Sequence, residues 1–84
     1  MKQVTVRYFA AIREALGVGS ERVATSAPTL AALRDELIAR GGAHADALAR
    51  DKAVRLALDQ TMADESVALH DGAEVAFFPP VTGG

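Results

Sequence analysis

The chain has 84 residues, half of them hydrophobic, a formal net charge of −2 and no cysteine. That length predicts a single domain, and the missing thiols exclude disulfides and a cysteine nucleophile. Scattered arginines in an acidic chain offer no basic field for a nucleic acid, and no apolar run approaches a membrane span.

The first residues alternate: Val4, Val6 and Tyr8 fall between Gln3, Thr5 and Arg7, the period of a half-buried strand, predicted over roughly residues 2 to 9. The opening lacks the apolar block of a signal peptide, so the expected location is the cytoplasm. From Ala10 to Leu16 the spacing turns helical, with Ile12 and Leu16 on one side and Gly17 and Gly19 behind them as a stop. Glu21 to Thr25 alternates weakly, as an edge strand whose outward charges discourage pairing with other chains.

Ser26-Ala27-Pro28-Thr29 is a capping cluster, and Leu30, Leu33, Leu37 and Ile38 then recur at helical spacing. They predict the main helix over about residues 29 to 40, closed by Gly41-Gly42. Residues 43 to 52 read as a short helical segment or a loop. Val54, Leu56 and Leu58 alternate as a third strand, Asp59 to Ser66 reads as polar turn chemistry, and Val67 to Leu69 as a brief fourth strand before the His70-Asp71-Gly72 turn. Glu74 to Phe78 is apolar on both faces and predicts a central strand.

This order of elements predicts an α+β domain, a ubiquitin-like β-grasp in which a mixed sheet of four to five strands wraps one main helix. Residues 1–79 form the domain and 80–84 an extended tail. The final strand has no evident cover on its second side, so Phe78, or Phe77 in a shifted register, is expected to expose an apolar patch that marks a protein interface.

Side-chain catalysis finds little support. His44 and His70 have no partners at metal-ligand spacing and read as ordinary surface residues. The carboxylates Asp35, Glu36, Asp64, Glu65, Asp71 and Glu74 read as solvated charge, with nothing to separate their pKa values. Ser20, Ser26 and Ser66 lack a nucleophile-elbow context, and Gly17-Val18-Gly19 is not a dinucleotide loop. No metal and no bound cofactor is expected.

The tail is different. Pro79-Pro80 restricts the backbone at two successive positions, so the chain should leave the domain in one direction. Val81-Thr82-Gly83-Gly84 then narrows to two residues without side chains, shaped to thread a channel. From Pro80 to Gly84 the extended reach is at most roughly 16 Å, and the one reactive group delivered is the Gly84 carboxylate.

Several blocks are shared with a known family: Val6-Arg7-Tyr8-Phe9-Ala10 followed by Arg13-Glu14, Thr29-Leu30-Ala31-Ala32-Leu33, and above all the run from Asp71 through Phe77-Phe78-Pro79-Pro80 to Gly83-Gly84. Over its whole length the chain resembles the MoaD-like small subunit of molybdopterin synthase, a sulfur carrier of the MoaD/ThiS superfamily. Ala73 stands where an acidic residue is common, and Asp59-Gln60 where an Asn-Gln pair is typical.

The resemblance implies that an E1-like adenylating enzyme uses ATP to activate the Gly84 carboxylate, which becomes a thiocarboxylate with Gly83 beside it. Its sulfur would then pass to a cyclic pyranopterin precursor in the large synthase subunit, in a heterotetramer of two small and two large subunits. Phe77, Phe78, Pro79, Pro80, Val81 and Thr82 are the expected partner-binding residues. A carrier for thiamin or another thio-metabolite, a ubiquitin-like modifier joined to lysines, and a plain interaction module with an inert tail are the competing readings.

Overall fold

A computed structural model describes residues 1–79 of the chain; the expectations placed on Pro80, Val81, Thr82, Gly83 and Gly84 lie outside the described residues. The elements run β1 (Lys2–Tyr8), α1 (Ala10–Leu16), β2 (Ser20–Thr25), α2 (Leu30–Ile38), α3 (Gly42–Ala47), β3 (Arg55–Leu58), β4 (Thr61–Ala63) and β5 (Glu74–Phe78). The strands form one mixed sheet in the order β2-β1-β5-β3-β4. β1 and β5 lie parallel at its centre, with Tyr8 beside Phe77, and the other pairings are antiparallel.

Alternation decides the two faces. Val4, Val6, Tyr8, Val23, Leu56, Val75 and Phe77 point inward against Leu30, Leu33 and Leu37 of α2, all of them buried. Removing each such side chain from water contributes about 1.5–3 kcal/mol, which makes this seam the main source of stability. Thr29 caps α2 by accepting a hydrogen bond from the Ala32 backbone N–H at 3.2 Å. Gly41, at φ 77°, lets the chain swing from α2 into α3 through a conformation closed to most residues.

One charged side chain is inside. The Arg34 guanidinium donates to the carbonyls of Leu48 (2.9 Å), Ala49 (2.7 Å) and Lys52 (3.1 Å), and pairs with Glu65 at 3.2 Å. It fastens the link between α3 and β3 to the main helix, so the charge is buried with partners on every side.

One expectation needs correcting. The fourth strand is Thr61–Ala63, inside the stretch read as a turn, whereas Val67–Leu69 holds one isolated bridge, Ala68 to Thr29. Asp59 and Gln60 form the hairpin turn, both in the left-handed region at φ 49° and 69°, the two-residue geometry that closes an antiparallel pair, and Glu65 and Ser66 form a second turn after β4. The helical spacing over Ala10–Leu16 is helix α1, and the segment after Gly41 is helix α3 in place of a loop; each buries one residue in the core, Ile12 and Ala47.

Candidate functional site

β5 carries the chain from the core to the tail, and its alternation sorts the expected docking residues. Val75 and Phe77 point inward, Ala76 and Phe78 outward. Phe77 has 0% of its surface exposed and stacks on Tyr8 at 6.1 Å. It cannot touch a partner. Its expected binding role is therefore corrected to a core role, and of the two phenylalanines only Phe78, half-buried on the outer face, is open to a partner.

Phe78 does not stand alone. Phe9, the residue between β1 and α1, stacks on it with centroids 4.6 Å apart and planes within 12°. The Arg7 guanidinium lies 5.3 Å from the centre of the Phe9 ring and 3.7 Å from Glu74. On the outward side of the sheet the register then sets Arg7, Ala76, Ala57 and Met62 in a row, with Arg55 beside Phe78. Met62 is 53% exposed although apolar. The buried residues of all three helices belong to the inner core, so among the described residues no helix covers this outer face. A half-buried aromatic pair and the exposed Met62 thus form an apolar surface at the root of the tail, with Ala57 and Ala76 buried between them.

Pro79 follows directly. It walls a small apolar groove of about 130 Å³ whose other sides are Ala11 and Ala15 of α1 and Val54 ahead of β3. Pro79, the last described residue, therefore sits between the aromatic pair on the sheet and this groove beside α1.

Behind the site, Tyr8 donates to Glu21 at 2.7 Å, and Arg40 and His44 reach the same carboxylate at 2.7 and 3.1 Å. Burial alone would raise the Glu21 pKa, but the hydrogen bonds from Arg40, Tyr8 and His44 outweigh it and hold the carboxyl at about 2. Burial, then the Glu21 bond and charge, push the Tyr8 phenol well above its usual range. His44 is thus part of a half-buried cluster, edge-on to Tyr8, and not an ordinary surface residue. The cluster clamps Tyr8, and through it Phe77, so that Phe78 is presented on a fixed strand.

At the opposite end of β5, Asp59 accepts from the Glu74 backbone N–H at 3.0 Å and pairs with His70 at 2.7 Å. These bonds lower the Asp59 pKa and raise that of His70. Asp64 is also lowered, by the Ser66 backbone N–H it accepts. The carboxylates are accordingly less uniform than solvated charge. All of these contacts brace turns and strands, and Asp64 also borders an open groove of about 440 Å³ along β3 and β4.

Phe9 and Arg7 escaped selection as site residues. A signal was present, because the period of two that buries Tyr8 also turns Arg7 outward, but Phe9 meets Phe78 only through parallel pairing of the first and last strands.

A mixed five-stranded sheet folded over α2, with its last strand central and leading to the chain's end, defines a ubiquitin-like β-grasp protein. The chain belongs to the ThiS family, whose model matches residues 6–84. It is 43% identical over 81 residues to the molybdopterin synthase sulfur carrier subunit of Escherichia coli (strain K12), covering 96% of this chain and 99% of that protein. Its fold matches SAMP1 from Haloferax volcanii with a TM-score of 0.76 at 26% identity, covering 98% of this chain and 99% of the other. A further match, with a TM-score of 0.68 at 25% identity and coverage of 98% and 99%, is a chain in the complex of subunits 1 and 2 of the molybdopterin-converting factor from Helicobacter pylori 26695.

Proposed function

We propose that this chain is the sulfur carrier of a molybdopterin synthase, with the Gly84 carboxylate as the group that is loaded. The observation that carries this reading is the full-length 43% identity to a sulfur carrier subunit. The apolar surface at the tail root supports it, because a carrier without a catalytic pocket must dock on enzymes that have one.

A carboxylate resists nucleophiles until one oxygen joins a good leaving group. An E1-like enzyme supplies this by letting the Gly84 oxygen attack the α-phosphorus of ATP, releasing pyrophosphate. A sulfur donor then displaces AMP, leaving a thiocarboxylate. In the large subunit that sulfur is delivered to the pyranopterin precursor. The chain's own part is positional: Phe9 and Phe78 dock, Pro79 and Pro80 aim, and Gly83 and Gly84 enter the partner's channel. The complex from Helicobacter pylori supports a large-subunit partner, and a heterotetramer in the cytoplasm is the assembly this reading expects.

Intact-mass measurement after incubation with the cognate adenylating enzyme, ATP and a sulfur donor tests the reading. The expected result is a gain equal to the difference between sulfur and oxygen, localised to the last peptide. An unchanged mass with an enzyme that loads another carrier would overturn it.

A further inference from the structure

The outer face has a charge opposite to that of the chain. Its outward positions carry Arg7 on β1, Arg22 on β2 and Arg55 on β3, against one carboxylate, Glu74. The whole chain is at −2. The helices and connecting loops carry nine Asp and Glu residues against five Arg and Lys residues. The molecule is therefore dipolar, with a basic sheet face and an acidic helical side.

Position makes this asymmetry useful. Arg7 lies over Phe9, and Arg55 is the register neighbour of Phe78, so two cations bracket the aromatic stack. Arg22 extends the same face toward the β2 edge. Among the described residues Arg22 and Arg55 form no ion pair, whereas Arg34, Arg40 and Arg50 all hold carboxylates. An arginine in an internal pair is already neutralised, but Arg22 and Arg55 keep their field for an approaching surface.

We infer that the docking face recognises a partner protein presenting carboxylates around an apolar patch, and that Arg22 and Arg55 steer and select it. This rests on the carrier reading above, with the large synthase subunit as the partner. Apolar contact between Phe9, Phe78 and Met62 and the partner holds the complex, while the arginines set its rate of formation and reject partners with a basic rim.

The test is the association rate of the full-length chain with the cognate large subunit across a series of salt concentrations. Arg22→Glu and Arg55→Glu should each slow association about tenfold at low salt, and the loss should fade at high salt as the charges are screened. Arg55→Lys should retain most of the rate, and Asp51→Asn, on the acidic side, should change it less than twofold. Circular dichroism should show the folded signal in every variant. Reversals that leave the rate unchanged while Phe78→Ala weakens the complex would overturn the charge inference and keep the docking face. Unchanged binding in both kinds of variant would overturn the docking face as well. Sedimentation showing that Arg55→Glu abolishes self-association, with no effect on the large subunit, would assign the face to a second copy of this chain and also overturn the inference.

Discussion

Phe9 and Phe78 stack at 4.6 Å on the outer face, one residue across from the buried pair Tyr8 and Phe77 at 6.1 Å on the inner face. Adjacent positions on two neighbouring strands thus serve opposite purposes, and the difference is measurable. Phe77→Ala should cost about 3–5 kcal/mol in urea denaturation, because it empties a fully buried site. Phe78→Ala should cost about 1 kcal/mol in stability, the worth of the half-buried stack, yet weaken large-subunit binding by about 1–3 kcal/mol in calorimetry. The reverse pattern would place Phe77 at the interface.

Arg34 gives a second contrast. Its guanidinium satisfies three carbonyls and a carboxylate from within the core, whereas Arg50, bonded to Asp35, Glu65 and the Ala31 carbonyl, sits at the surface. Arg34→Ala should destabilise by about 3–5 kcal/mol, since it strands buried acceptors, while Arg50→Ala should cost under about 1 kcal/mol. Arg34→Lys should recover little, because one ammonium cannot reproduce the planar fork. Chemical denaturation of the three variants compares them directly.

The β3–β4 hairpin turns on Asp59 and Gln60, both at positive φ. Asp59 repays its conformation through bonds to Glu74 and His70, but Gln60 has no such compensation among the described residues. Gln60→Gly should raise stability by about 0.5–1 kcal/mol, read as an upward shift in thermal midpoint, because an L residue in the left-handed region carries strain that glycine does not. A lower midpoint would mean that Gln60 makes a contact in solution that offsets the strain.

The sequence exposed what depends on local periodicity: β1, α2 and β5 were each legible from alternation or helical spacing, and the β-grasp order followed. It hid what depends on partners distant in the chain. β4 was missed because Thr61–Ala63 is too short to alternate, and it becomes a strand only by pairing with β3. Phe77 and Phe78 were indistinguishable within an apolar run until the Tyr8 register fixed which one faces the core. The burial of Arg34 carries no local signal, since the carbonyls it holds lie 14 to 18 residues further along the chain.

Glu21 makes the stability of the scaffold depend on acid. Its folded pKa, about 2, lies below the ordinary glutamate value of 4.5. A carboxylate with a depressed pKa stabilises the fold fully above its unfolded value and loses that contribution as pH falls through the folded one. The window of loss is therefore pH 4.5 down to 2. With the side chain 23% exposed, a contribution of about 2 kcal/mol is the appropriate scale after screening. Denaturation across this window should show wild type losing that amount relative to Glu21→Gln, with the two curves converging near pH 2 and separated by about 2 kcal/mol at pH 7. Because Glu21 holds the Tyr8 phenol, Glu21→Gln should also loosen the Tyr8–Phe77 stack, seen as faster amide exchange along β5 at neutral pH. Unchanged exchange on β5 would confine the cluster's effect to the link between β2 and the Arg40–His44 segment.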